Sequence, residues 1–215
     1  MTAGRVSRKT IGRRRSQRHA RLSRKTRETS VAVSLGLDGR GRVSASTGIG
    51  FFDHMLTALA MHAGFDLAIE AVGDLHVDQH HLVEDSGIVI GQAVAQALGD
   101  RRGIERAGFF VFPMEDAIAL AAIDLSGRPA LTWRARFRRA RVGELETDLI
   151  PEFFRGFARG VGADLHVLVP YRTNDHHAAE AVFKAVGKAL KIAVARDGRY
   201  RDLVPSTKGL LEGWR

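Results

Sequence analysis

One uncommon pattern is written twice in this chain: DQHHLVED at Asp78–Asp85 and NDHHAAEA at Asn174–Ala181. A pattern that recurs in step with its surroundings means one structural unit used twice, and that limits the fold more than any composition figure. His80 to His176 spans 96 residues, whereas Glu28 to Asp116 and Gly39 to Gly127 each span 88. Loop insertions, such as that around VGELETD, account for the difference.

The segments between these markers repeat in order. SVAVSLGL alternates as a half-buried strand does, and ordered structure is expected from about Glu28. Asp-Gly in LDGRG signals a hairpin, with RVSAST as its returning strand. FFDHMLTALAMHAG has the helical period and stops at Gly64, DLAIEAV reads as a strand, and HHLVEDSGIVIGQAVAQALG is a helix stopped at Gly99. In the second half DAIALAAIDL, the turn SGRP, ALTWRARF, LIPEFFRGFARGVG, DLHVLV and HHAAEAVFKAVGKALKIAV follow the same course. Each half is an α+β unit whose sheet needs covering, so the halves should pack on each other.

Charge is uneven. Residues 1–27 hold eleven Arg or Lys and no acid, which leaves 22 basic against 24 acidic residues in the remainder. Such an arm has the charge for nucleic acid or a transit peptide, but it carries no aromatic to stack on a base. It is expected to be a solvated, disordered extension over residues 1–18, with His19 belonging to it. The near-neutral body argues against nucleic acid as a partner. No apolar run approaches the ~18 residues of a membrane span, so a soluble, cytoplasmic protein is expected. The absence of cysteine excludes disulfides, a thiol nucleophile and thiolate metal sites.

On a helix, His80 and Glu84 share a face, as do His176 and Glu180, while His81 and His177 point about 100° away. Imidazole and carboxylate at i and i+4 suit Mn, Fe or Zn, and four His with two Glu provide for two metals. The duplication adds His54 and its counterpart Glu152, both near a helix start. Asp85 is a candidate to orient a ring through its other nitrogen. His62, which has no counterpart, suits a substrate role. His76 and His166, in strand-like stretches, are expected to be hydrogen-bonded core. For an anionic group, Arg106, Arg128 and the PSTKG loop with Ser206, Thr207 and Lys208 offer guanidinium, hydroxyl and ammonium donors.

These residues in this order resemble the imidazoleglycerol-phosphate dehydratase family. The segments that carry it include LDGRG, STGIGFFDHML, GDLHVDQHHLVEDSGIVIG, DLSGRP, EFFRGFA, NDHHAAEAVFKA and PSTKGLL, spread over about residues 20–212. The resemblance implies one dehydratase domain over 19–212, built of repeats at about 28–112 and 113–212, with helices packed between two mostly antiparallel sheets. It implies two Mn ions per active site, with Fe or Zn left open. One ligand set would be His54, His81, His176 and Glu180, the other His80, Glu84, Glu152 and His177. It also implies sites shared between subunits of a large homo-oligomer, a 24-mer in the family. Glu28, His62, Arg106, Arg128, Ser206 and Lys208 would contact substrate, alongside His54, His80, Glu84, His176 and Thr207. Two departures stand out. Glu115-Asp116 replaces the family's usual Asp-Glu, and Arg172 stands where glycine is common.

The activity so implied is loss of water from imidazole glycerol phosphate to give imidazole acetol phosphate in histidine biosynthesis. A two-metal centre would stabilise the substrate ring as imidazolate. Glu28 would be the general acid/base and His62 its helper. The competing expectation is a binuclear metal-dependent phosphatase, which would release phosphate rather than form a ketone.

Overall fold

The structure is a computed structural model, and it describes residues 18–200, 203–207 and 209. Arm residues 1–17 and Lys208 therefore lie outside the described residues.

In the first half, β1 (His19–Lys25), β2 (Thr29–Gly36), β3 (Val43–Ser46), α1 (Gly50–Ala63), β4 (Asp66–Gly73) and α2 (His80–Leu98) follow in order. In the second, β5 (Ala107–Met114), β6 (Ala117–Asp124), β7 (Ala130–Arg134), a small hairpin of β8 (Arg141–Val142) and β9 (Leu145–Glu146), α3 (Leu149–Val161), β10 (Asp164–Tyr171) and α4 (Asp175–Ala193) repeat it. The sheets have matching orders, β1-β2-β4-β3 and β5-β6-β10-β7. Only the last pair of each is parallel. This is the expected α+β duplication with two mostly antiparallel sheets.

Alternation sets the buried faces. Val31, Val33 and Leu35 of β2 point inward and Ser30 and Ala32 outward; Ala117, Ala119, Ala121 and Ile123 of β6 do the same in the second sheet. The helices fill the space between. α2 lies on β1 and β2, and α4 on β5 and β6. Across the middle, α2 packs on α3 and α1 on α4, so each helix of one half meets a helix of the other. Phe52, Phe153, Phe154 and Phe183 meet there at ring separations of 4.8–5.4 Å. Burying one such side chain contributes about 1.5–3 kcal/mol. Backbones approach closely where α2 meets α3: a Cβ on Gly160 would stand 2.3 Å from the Ile88 carbonyl oxygen, and one on Gly91 2.4 Å from that of Phe157.

Several expectations are corrected. LDGRG does not close a β2–β3 hairpin, because β4 lies between the two strands and β3 runs parallel to it. The loop is instead tied to β4: Asp66 Oδ1 accepts from the backbone N–H groups of Arg40 and Arg42 at 2.8 and 3.0 Å. Order begins before Glu28, since β1 pairs with β2 from His19 onward, and His19 is a strand residue rather than part of an arm. β5 likewise precedes the second repeat's expected start. His76 lies exposed in a turn, and His166 is exposed on β10, 3.3 Å from Asp164. Neither is core: β10 alternates and places Leu165 and Val167 inward.

Arg101 is a buried structural feature that pattern reading does not reveal. Its guanidinium donates to the carbonyls of Leu125 (2.5 Å), Gly162 (3.2 Å) and Val161, closing the C-terminal end of α3. Burial pushes it down to about 10, which leaves it charged near neutral pH.

Candidate metal centre

Both histidine motifs begin in the same way. Asp78 Oδ1 accepts from the His80 N–H at 2.8 Å, and Asn174 Oδ1 from the His176 N–H at 2.9 Å. An oxygen-bearing side chain two residues before each first histidine satisfies an orphan donor of the first turn, worth about 1 kcal/mol. On α4 Asn174 is itself the N-cap residue, whereas on α2 the cap position is Gln79, which makes no side-chain cap bond, and Asp78 acts from one residue further out.

The α1–α4 crossing gathers His54, His176 and Glu180. Their ligand atoms lie within 4.8 Å of one another, and among the described residues this is the only such group of three. Glu180 Oε2 is 3.5 Å from His54 Nε2 and 3.3 Å from His176 Nε2. Two ligands each ~2.0–2.2 Å from one ion stand roughly 3–3.5 Å apart, so the spacing and the donor set fit a nitrogen- and oxygen-binding cation. Phe51 packs its ring against His176 at 5.0 Å and forms one wall. The two imidazoles are about half exposed (50% and 45%), whereas Glu180 is buried. Burial pushes the Glu180 carboxyl up, but the Lys184 ammonium, at 2.7 Å, and His54 outweigh it and hold the group below its ordinary range.

The α2–α3 crossing carries the counterparts His80, Glu84 and Glu152. Here Glu84 pairs with Arg159 at 3.3 Å and Glu152 with Arg155 at 3.1 Å, both arginines on α3. The three side chains share a crossing without forming a ligand cluster.

The second histidines face carboxylates. His81 Nδ1 is 3.0 Å from Asp74, and His177 Nδ1 is 2.5 Å from Asp116. These hydrogen bonds raise both rings above the ordinary histidine value. Asp85, expected to orient a ring, instead ion-pairs with Arg24 and accepts from Thr29 Oγ1, so it belongs to the packing of α2 on β1 and β2. Asp74 and Asp116 are the functional candidates that the motif spacing missed. The available signal was the Glu28–Asp116 match across the repeats. Of the departures, Asp116 is this ring partner, Glu115 takes a positive φ of 47°, and Arg172 binds Asp175 at 3.0 Å.

Glu28 occupies the turn before β2, its Oε2 4.0 Å from His81 Nδ1. His62, in the last turn of α1, has Nδ1 2.9 Å from the Ala58 carbonyl and its ring on Phe112. Burial, with Lys184 and Lys188 nearby, pushes its pKa down despite the Ala58 contact and Glu180. Arg106 forks onto Asp124 at 2.7 and 2.8 Å and donates to the Pro205 carbonyl at 2.7 Å. It thereby anchors the loop that presents Ser206 and Thr207. Arg128 is exposed in the turn after β6.

Comparison with known proteins agrees over most of the chain. The family profile described as Imidazoleglycerol-phosphate dehydratase matches residues 47–190. The chain is 55% identical over 194 residues to the imidazoleglycerol-phosphate dehydratase of Gluconobacter oxydans (strain 621H), covering 90% of this chain and 98% of the relative. It is 54% identical to that of Granulibacter bethesdensis, covering 90% and 99%. The crystal structure of imidazoleglycerol-phosphate dehydratase from Staphylococcus aureus superposes with a TM-score of 0.75 at 35% identity, over 83% of this chain and 99% of that one. That of IGPD from Pyrococcus furiosus in complex with (S)-C348 gives 0.77 at 36%, over 88% and 100%.

Proposed function

The chain belongs to the imidazoleglycerol-phosphate dehydratase family, and from that premise we propose that it dehydrates imidazole glycerol phosphate to imidazole acetol phosphate in histidine biosynthesis. The reaction breaks one C–H and one C–O bond, releases water, and leaves an enol that tautomerises to the ketone. The phosphate stays attached. The observation that carries this reading is the convergence of His54, His176 and Glu180 from the two halves onto one point.

Two divalent ions, Mn in the first instance, would be held by His54, His81, His176 and Glu180 and by His80, Glu84, Glu152 and His177. Bound there, they supply positive charge beside the substrate's imidazole, easing loss of its ring proton. His81 lies outside the cluster its own chain forms. A ligand from a neighbouring subunit would complete the set, which favours a large homo-oligomer with shared sites. Glu28 moves the proton at carbon as general acid/base, with His62 assisting. Arg128, Ser206, Thr207 and Lys208 hold the phosphate, and Arg106 braces their loop, so that remote binding orients the reacting carbons.

The test is chelation followed by Mn add-back, with ketone and free phosphate both measured. Ketone formation that is lost and then restored, without phosphate release, is expected. Full activity in metal-free protein, or phosphate without ketone, sinks the reading.

A further inference from the structure

We propose that Asp74 and Asp116 are the positioning residues of His81 and His177, each holding its ring with Nδ1–H toward the carboxylate and Nε2 open to a metal, and that Asp74 thereby releases Glu28 for proton transfer. The inference deepens the proposed function and rests on it for the role of the metal.

The chemistry of the contacts comes first. An ionised carboxylate only accepts hydrogen bonds, so the Nδ1 atoms at 3.0 and 2.5 Å must be the donors. In a neutral ring that places the lone pair on Nε2. The Asp116 carboxylate and the Asp74 backbone are themselves tied down. Asp116 Oδ2 accepts from the Thr173 N–H at 3.0 Å, tying the β5–β6 turn to the start of α4. The Asp74 N–H donates to the Glu28 carbonyl at 3.1 Å. Glu115 Oε2, at 3.7 Å from His177 Nε2, is beyond hydrogen-bond reach and does not compete for the ring proton.

The repeats then show a division of labour. Glu28 and Asp116 are counterparts, each standing immediately before the second strand of its sheet. Asp74 and Arg172 are also counterparts, each the first residue after β4 or β10. In the second half the turn acid Asp116 holds the ring, and Arg172 turns away to Asp175. In the first half the acid has moved to the other loop: Asp74 holds the ring, and Glu28 stands off at 4.0 Å. One acid suffices to orient a ring, so the first half has a carboxylate to spare at the same spot. That is the group a proton transfer needs; the second half's other acid, Glu115, stands instead on the Nε2 side of its ring, where the metal would bind.

The test uses the full chain with Asp74→Ala, Asp116→Ala, the matching Asn variants and Glu28→Gln. Mn affinity is read by titration, and the ring nitrogens of His81 and His177 by nitrogen NMR of metal-free protein in alkaline buffer. The Ala variants should lose Mn affinity about 10–100-fold and shift their ring proton to Nε2. The Asn variants, whose amide oxygen still accepts, should keep the Nδ1–H form and lose less. Glu28→Gln should hold Mn normally while kcat drops about 10²–10⁴-fold. Ala variants with unchanged affinity and unchanged tautomers overturn the proposal, as does Glu28→Gln weakening Mn as much as Asp74→Ala. Wild-type protein that takes up no Mn defeats the functional reading instead, and the metal-free ring spectra still judge the positioning.

Discussion

The α1–α4 and α2–α3 crossings are copies of one arrangement, yet only the first brings its ligand atoms into one cluster. The difference lies in a few neighbours. Counted back from the stop glycines Gly64 and Gly162, Arg155 and Arg159 of α3 stand where α1 has Thr57 and Met61. The arginines draw Glu152 and Glu84 toward themselves. On α4, Lys184 holds Glu180 from one turn away and leaves its other oxygen facing both imidazoles; α2 has Ile88 at that place. The backbones diverge as well. Glycines 87, 91, 156 and 160 bring α2 and α3 into backbone contact, whereas α1 meets α4 with Ala58, His62 and Phe183 at the matching places and Gly187 alone as glycine. Duplication preserved the frame, and local charge decided which site is assembled within one chain.

The largest effect should come from the assembled crossing. His54→Ala is expected to remove one Mn and cut kcat by three orders of magnitude or more, on the order of the several kcal/mol a metal supplies. Metal counting together with turnover checks it, and retention of the full Mn complement would erase the distinction between the crossings. Gly160→Ala comes next. Its new methyl has no space beside Ile88, so about 1–3 kcal/mol of stability should be lost in urea unfolding. His62→Ala, at the matching place on α1, should cost less. Equal losses would mean that the backbone contact of α2 with α3 is not the tighter one.

Arg159→Ala should change stability by less than about 1 kcal/mol, because its pair with Glu84 is solvent-facing. It should leave Mn uptake as strong as in the parent or stronger, read by titration. Weaker uptake would show that the arginine serves the site rather than restrains its carboxylate. The smallest effect is a pH slope. His62 has its pKa depressed in the folded chain, so the unfolded chain takes up its proton first. Its contribution is present above the ordinary histidine value and is lost as pH falls through the folded value. His62→Gln should flatten that acid-side slope in the unfolding midpoint. Gly160 stands at the matching place on α3 and does not titrate.

Much of the fold was legible because it is periodic. Strand alternation, helical spacing and the stop glycines Gly64, Gly99 and Gly162 all act within a few residues of chain. β1 escapes pattern reading because HARLSRK sits in a basic run and half its side chains face solvent. LDGRG fails as a hairpin signal for a different reason. A turn signal says that the chain reverses, and it does not say which strand fills the space beside it.

The sequence by itself determined that the chain is two copies of one unit, that each copy projects a His–Glu pair and a second histidine, and which family they serve. These follow from spacing, and helix geometry converts spacing into direction without help from the rest of the molecule. Only the tertiary structure decided that α1 of one half meets α4 of the other, that Asp74 and Asp116 rather than Asp85 hold the second rings, and that Arg106 braces a loop. Each of those depends on residues far apart in the chain arriving at one place, and that is set by how two sheets and four helices pack.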